Sequence, residues 1–305
     1  MMKMFCSFLI LFGLIITGCS SPTVTEEEKD VITVTTTTGQ IKDAVMNVGG
    51  EHVEVESLMG PGVDPHLYQA SQGDIRKLTE AEIIFYNGLH LEGKMGEIFE
   101  KMSKDKPTVP IGERIPKDNL IAGDSGYSDP HIWFDIDHWI LVVEAIEEEL
   151  SELSPEHEEQ FKKNATNYIE ELKELKQYAT DQMNSIPSEQ KILVTAHDAF
   201  AYFGNAYSME VRGLQGLSTD SEYGLKDVQD LVDLLVDRQI KSVFIETSIS
   251  ERSIQAIVEG AMKKGHTVRI GGELFSDAMG DSGTEEGTYI GMYKHNVDTI
   301  VEALK

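Results

Sequence analysis

Residues 154–187 read SPEHEEQFKKNATNYIEELKELKQYATDQMNSIP, and this stretch decides how the rest of the chain is organised. Serine followed by proline at 154–155 is typical of a helix start, and Pro187 marks its end. A helix from Pro155 to about Ile186 would be about 45 Å long, longer than an average domain helix. Its apolar residues recur every three or four positions and share one face: Phe161, Ala165, Tyr168, Leu172, Leu175 and Ala179. We expect a rigid connector packed along two lobes, with a solvated strut as the alternative.

Strands and helices alternate on both sides of this helix. The predicted strands are VITVTTTT (31–38), HVEVESLM (52–59) and EIIFYNG (82–88) before it, and KILVTA (191–196), MEVRGL (209–214), SVFIET (242–247) and TVRIGG (267–272) after it. Strands joined by helices favour parallel pairing. The prediction is an α/β fold with two lobes, residues 31–153 and 188–305, each with a mainly parallel sheet flanked by helices and joined by the long rigid helix 154–187.

The N-terminus has the pattern of an export signal. Lys3 precedes the apolar run FCSFLILFGLII (5–16), which is followed by small residues. The run is shorter than the roughly 20 residues of a membrane-spanning helix, so we predict a signal peptide over residues 1–18. The segment ITGC (16–19) resembles the lipobox of bacterial lipoproteins, which predicts acylation of Cys19 and a polar tether over 19–30. An ordinary signal peptide with an incidental cysteine is the alternative.

The composition excludes several kinds of site. Cys6 and Cys19 are the only cysteines of the sequence, so the folded part can hold neither a disulfide nor a thiolate-bound metal. A metal must therefore be bound there by imidazole and carboxylate. The formal net charge of −27 opposes contact with phosphates, so no nucleic-acid partner is expected. A negative surface attracts cations without choosing among them.

Four candidate metal ligands stand at or near the carboxyl ends of predicted strands, where ligand groups gather in parallel sheets. His66 lies in the loop GPGVDPHLYQ, His131 follows the turn SDP, His197 follows KILVTA, and Asp277 lies in ELFSDAMG. Three imidazoles and one carboxylate suit zinc, manganese or iron. Their spacing specifies nothing, and a lone loop histidine is more often a surface or hydrogen-bonding residue.

Other histidines and carboxylates have weaker patterns. His138, His157 and His295 fall on predicted helix surfaces, where solvated side chains are expected. The carboxylates that could fix the imidazole tautomers are Asp64, Asp129, Asp198 and Glu246. A structural or surface role is an equal alternative for each of them.

From about residue 31 to 305 the chain resembles the metal-specific solute-binding lipoproteins of ABC importers. The motifs that carry the resemblance are GVDPHLYQ (62–69), NGLHLEG (87–93), DPHIWFD (129–135), TAHDAFAYF (195–203), RGLQGLST (212–219), FIETSIS (244–250) and LFSDAMG (274–280). Such a series in one order is highly specific, and the manganese-binding members are the most similar.

The resemblance implies a function and a site. One divalent metal ion, Mn²⁺ in the first place and Zn²⁺ or Fe²⁺ as alternatives, would be carried in a cleft by His66 and His131 from the first lobe and His197 and Asp277 from the second. A membrane permease and its ATPase would receive it. The chain would be a monomer without enzymatic activity, held on the outer face of the cell membrane through Cys19.

The sequence leaves two points of chemistry open. Many manganese-binding relatives have glutamate where this chain has His197, and the nitrogen-rich set should bind zinc at least as tightly in vitro. Residues 117–130 contain no histidine, unlike the His-rich loop of many zinc-binding relatives. A secreted zinc hydrolase with Glu246 as general base is the rival function, and a surface adhesin is a third.

Overall fold

Parallel β-sheets form the framework of the protein in a computed structural model that describes residues 31–123 and 126–305. The predicted signal peptide, the tether and Cys19 lie outside the described residues. The first sheet has the strand order β2-β1-β3-β4, and every neighbouring pair is parallel. Its strands are β1 (Ile32–Thr36), β2 (Val53–Ser57), β3 (Ile83–Tyr86) and β4 (Thr108–Pro110).

Helices connect and cover these strands. They are α1 (Gly39–Gly49), α2 (Gln72–Glu80), α3 (Gly96–Met102) and α4 (Ile136–Leu153). Two of them begin at side-chain caps: Ser71 and Asp74 form a reciprocal capping box on α2, and Asp135 accepts bonds from the first turn of α4. The cap on α4 fixes where the chain turns after the DPHIWFD segment.

The second half repeats this arrangement. Its strands are β5 (Ile192–His197), β6 (Glu210–Gln215), β7 (Ser242–Glu246) and β8 (Arg269–Leu274), and its helices are α6 (Ala201–Tyr207), α7 (Leu225–Asp237), α8 (Arg252–Lys263) and α9 (Tyr289–Leu304). The parallel ladders join β5 to β6 and β7 to β8, and β5 lies next to β7. Within each of these two-stranded ladders the strands point their carboxyl ends the same way.

The long helix α5 (Glu158–Met183) has 26 residues and follows a 3₁₀ turn at Pro155–His157. It ends slightly before the predicted Ile186. All six residues of the predicted apolar face are buried. They pack against α1 and α4 of the first half and α9 of the second. The connector is thus built into the core, and the alternative of a solvated strut is wrong.

The largest hydrophobic cluster runs through both halves. Trp133 and Phe134 from the first half share it with Phe200, Tyr289 and Tyr293 from the second. Parallel sheets flanked by helices, with one long helix, confirm the predicted fold class. Residues 31–305 form one compact unit, and the division into lobes at 153 and 188 stays a prediction. No helix within the described ranges has both the length and the apolar character needed to cross a membrane.

Candidate metal centre

The four side chains predicted to bind metal meet at one point. His66, His131, His197 and Asp277 are all buried, with at most 3 % of each residue exposed. One potential ligand atom from each lies within 4.8 Å of the others. It is the one such group of three or more histidine, cysteine or carboxylate residues within 31–123 and 126–305. Residues far apart in sequence therefore form a single buried cluster.

The spacing of these atoms fits the first shell of a metal ion. His66 Nε2 lies 3.3 Å from His131 Nε2, and Asp277 oxygens lie 3.4 Å from His131 Nε2 and 3.3 Å from His197 Nε2. The remaining short separation, between His66 Nε2 and Asp277 Oδ2, is 3.8 Å. Ligands at about 2.1 Å from a tetrahedral ion are about 3.4 Å apart. The four separations above are close to this value, and all the candidate ligand atoms lie within 4.8 Å of one another.

Several ligand atoms have no other partner. His197 Nε2 and both oxygens of Asp277 are buried and make no hydrogen bond to any residue that the structure describes. A buried carboxylate without a donor is costly, so such groups normally carry a partner or bind a cation. A metal ion at the centre of the cluster would satisfy all three atoms, and the residues present therefore fit such an ion.

Strands, or the loops that follow them, place three of the four candidate ligands, and His131 lies outside this pattern. His197 is the last residue of β5, and Asp277 follows β8 in the loop that leads to α9. His66 lies in the loop after β2, and His131 directly precedes the 3₁₀ turn Ile132–Phe134. The sites at the carboxyl ends of parallel strands are those where open α/β sheets bind ligands.

Two carboxylates orient two of the imidazoles. Asp129 Oδ1 accepts from His131 Nδ1 at 2.7 Å, and Glu246 Oε2 accepts from His197 Nδ1 at 2.6 Å. A proton held on Nδ1 leaves the Nε2 lone pair free for a metal. The other Glu246 oxygen accepts from the backbone amides of Ala196 and His197 at 2.8 and 2.9 Å. Glu246 thus fixes both the ring and the strand end that carries it.

The other two predicted carboxylates act differently. Asp64 Oδ1 accepts from the backbone amide of His66 at 2.9 Å, so it holds the loop and not the ring. Burial raises the pKa of Asp198. Its carboxylate lines a cavity of about 280 Å³ next to His66, and no bond joins it to a ligand side chain in the described part of the chain.

The imidazoles have different affinities for protons. Burial lowers the pKa of His66 to about 3. Burial acts the same way on His131, but the Asp129 and Asp277 carboxylates together outweigh it and raise the pKa of His131 to about 9. Against the effect of burial, the neighbouring carboxylates also raise the pKa of His197 well above its usual range. A cation bound by both of these imidazoles would have to displace protons from them.

Comparison with known proteins identifies the family. Residues 34–303 match the profile of ZnuA, the zinc-uptake complex component A, periplasmic. The chain belongs to this ZnuA family. The match spans nearly all described residues and includes all four ligand candidates.

Individual relatives are similar over most of their length. Manganese-binding lipoprotein MntA of Bacillus subtilis (strain 168) is 55% identical over 291 residues, which is 95% of each chain. Zinc-binding protein TroA of Treponema pallidum is 47% identical over 271 residues, covering 89% of this chain and 88% of TroA. The solved structure of that periplasmic zinc-binding protein superposes with a TM-score of 0.88 over 90% of this chain and 99% of its own.

Membership of the ZnuA family places the chain among solute-binding proteins of ABC importers, which are not enzymes. A more distant member, Fe(III)-bound YtgA from Chlamydia trachomatis, is 28% identical and has a TM-score of 0.81 over 90% of this chain and 98% of its own. The fold and the resemblance predicted from the motifs are both confirmed.

Sequence reasoning missed the residues that tie the ligand loops down. The side-chain amide of Asn296 on α9 donates to Phe275 O at 2.7 Å, and its oxygen accepts from Phe275 N at 2.9 Å, next to Asp277. The Trp133 indole donates to Ser276 O at 3.0 Å. Buried polar side chains at helical positions could have drawn attention to Asn296, but nothing in the sequence pairs it with residue 275.

One histidine prediction was wrong. His138 was expected on the solvated face of α4, but it is 6% exposed and packs edge-on against Tyr202 at a ring distance of 5.2 Å. The α6 segment that supplies Tyr202 covers this part of α4. The spacing of apolar residues along α4 does not indicate that a second helix covers its outer face.

Proposed function

We propose that this protein captures one divalent transition-metal ion with His66, His131, His197 and Asp277 and delivers it to the permease of an ABC importer. The observation that carries the proposal is the cluster itself. Four buried candidate ligand atoms lie within 4.8 Å of one another, and within the described part of the chain His197 Nε2 and both Asp277 oxygens have no hydrogen-bond partner. Neither packing nor an internal hydrogen-bond network accounts for such an arrangement.

Manganese is the proposed cargo, and zinc is the alternative. The relative that is 55% identical is named manganese-binding, whereas TroA at 47% identity is named zinc-binding. Three nitrogens and one carboxylate accept either ion, and zinc should bind at least as tightly in vitro. The metal available outside the cell and the fit to the permease then select the cargo.

Delivery requires the protein to stay near the permease. Relatives from several streptococci are named substrate-binding lipoproteins of manganese or metal ABC transporters. We propose that Cys19 is acylated and that the chain acts as a monomer on the outer face of the cell membrane, with the permease and its ATPase as partners. A lipid anchor holds the binding protein at high local concentration beside the transporter.

The geometry does not support the rival zinc hydrolase. Both Glu246 oxygens are engaged by His197 and by backbone amides, so this carboxylate is not free to act as a general base. A catalytic zinc also needs an open coordination position for water. Here four protein ligands surround the point where the ion would lie.

Metal content and competitive affinity of residues 20–305 test the proposal. Wild type is expected to bind one Mn²⁺ or Zn²⁺ per chain, and His66→Ala, His197→Ala and Asp277→Ala should each weaken binding. His157→Ala is the matched control, because this histidine stacks on His52 away from the cluster. Retention of Mn²⁺ against modest Zn²⁺ would support manganese as cargo. Absence of stoichiometric metal, or full occupancy in all three variants, would refute the proposal.

A further inference from the structure

The loop that follows β6, residues 216–221, starts beside a metal ligand. Gln215, the last residue of β6, is the sheet partner of His197. The Gln215 side-chain amide donates to the backbone oxygens of Thr219 and Ser221 at 3.4 and 3.2 Å. The Ser221 amide donates to Ser218 O at 3.2 Å. The loop is therefore shaped by its own bonds and mounted on the strand next to His197.

This loop reaches across to the first half of the chain. Thr219 Oγ1 donates to Asp64 Oδ2 at 2.6 Å. One residue further on, both oxygens of Asp220 accept from Lys94 Nζ at 3.0 Å. Two adjacent residues of the loop thus bind two separate segments of the first half.

The two contacts differ in strength. Lys94 and Asp220 are 38% and 56% exposed, and such surface ion pairs contribute little to stability and weaken with salt. The Thr219 bond is partly buried and ends on a carboxylate, which makes it the stronger of the two. Asp64 also accepts from the His66 amide through its other oxygen. One carboxylate therefore joins the loop to the backbone of a metal ligand.

The same loop walls the cavity next to His66. Leu217 and Ser218 line this cavity of about 280 Å³ together with His66. Leu217 packs directly on Gly123 of the first half, because a Cβ placed on that glycine would lie 2.5 Å from Leu217 Cδ1. Movement of the 216–221 loop would break the Thr219–Asp64 hydrogen bond and expose His66 at the same time.

We propose that the Thr219–Asp64 hydrogen bond is a latch that sets how fast the bound metal leaves. While it is made, the 216–221 loop stays over His66, and Asp64 keeps the His66 loop in its binding position. When it breaks, both the cover and the support of His66 are lost. Asp64 and Thr219 are positioning residues that never touch the ion. The inference rests on the proposed function and adds the control of release.

The test compares two substitutions at one position in the full-length chain purified in detergent. Thr219→Val keeps the shape but removes the hydroxyl, and Thr219→Ser keeps the hydroxyl. Zn²⁺ dissociation into excess chelator is measured by stopped flow. Loss of a hydrogen bond to a charged group changes an equilibrium or rate constant about ten- to hundredfold. The Zn²⁺ dissociation rate of Thr219→Val should therefore exceed that of wild type by this factor. Thr219→Ser should keep the wild-type rate.

Three results would overturn the latch while leaving the metal site intact. The first is an unchanged Zn²⁺ dissociation rate in Thr219→Val. The second is a dissociation rate in Thr219→Ser as fast as that in Thr219→Val. The third is a lower unfolding midpoint of metal-free Thr219→Val without faster Zn²⁺ release. The last would show a purely structural role. If instead the wild-type chain binds no stoichiometric Zn²⁺, the proposed function itself fails, and the two failures are thereby distinguished.

Discussion

Replacing Glu246 by glutamine tests whether the orientation of His197, and not only its presence, sets metal affinity. In Glu246→Gln, the side-chain amide oxygen would keep the two bonds from the Ala196 and His197 backbone amides. The new NH₂ group would then face His197 Nδ1, which at present donates to Glu246 Oε2 at 2.6 Å. Two donors cannot pair, so the ring proton must move to Nε2 and occupy the metal-binding lone pair.

The expected magnitude follows from this change. Loss of a carboxylate behind a ligating histidine weakens binding about 10- to 100-fold, or about 1.4 to 2.7 kcal/mol. A second readout is the number of protons released on binding. Against the effect of burial, the Glu246 and Asp277 carboxylates raise the pKa of His197, so wild type should release a proton from His197 when metal binds. Glu246→Gln should release fewer protons on metal binding.

The assay is competitive Zn²⁺ titration, combined with calorimetry in two buffers of different ionisation enthalpy. Glu273→Gln is the matched control. Glu273 is an exposed residue of the neighbouring strand β8, and its substitution removes the same charge at a position away from the candidate ligands. Its affinity should equal that of wild type. Unchanged affinity and an unchanged proton count in Glu246→Gln would refute the argument that tautomer control governs this site.

Two further predictions concern pH and stability. The Asp129 and Asp277 carboxylates, which together outweigh burial, raise the pKa of His131 from 6.5 to about 9. Apparent metal affinity should therefore fall about tenfold per pH unit below 9 for each proton displaced, as titrations from pH 9 to 6 would show. His66, with a pKa of about 3, adds nothing in this range. Protonated His131 stabilises the metal-free protein below pH 6.5, and this stabilisation is lost as the pH rises through about 9. The increase in melting temperature on adding metal should therefore grow with pH. Tyr289→Phe removes a buried hydroxyl that donates to Trp133 O at 2.6 Å, and it should lower the free energy of unfolding in urea by about 1 to 3 kcal/mol without changing metal stoichiometry. A loss no larger than that caused by Tyr223→Phe, at an exposed tyrosine, would contradict this account.

Much of the fold could be predicted because its signals are local. The apolar face of α5 follows from a period of three to four residues, and β-branched runs such as residues 31–38 lie in or next to strands. Small differences occur at the ends: α5 ends at Met183 and not at Ile186, and His197 belongs to β5 instead of following it. Helix and strand ends depend on tertiary contacts that the local pattern does not contain.

The candidate site was predictable only in part. Parallel sheets gather loop residues at their carboxyl ends, so His66 and His197 could each be expected at the end of a strand in its own half. That the two residues meet in one site was implied only by the family resemblance, and their role as ligands stays a prediction. The bonds between Trp133 and Ser276, and between Thr219 and Asp64, each join residues more than a hundred positions apart. No periodicity or spacing indicates such pairs, because they depend on how the two halves meet.

The spread of the ligand set along the chain, from residue 66 to residue 277, has a kinetic consequence. Contacts between distant segments form late in folding, because the intervening chain must first be ordered. A metal ion that needs all four side chains binds only the finished structure and cannot serve as a folding nucleus. If these four side chains bind the ion, its stabilisation would appear almost entirely as slower unfolding, and the protein would have to fold before it binds metal.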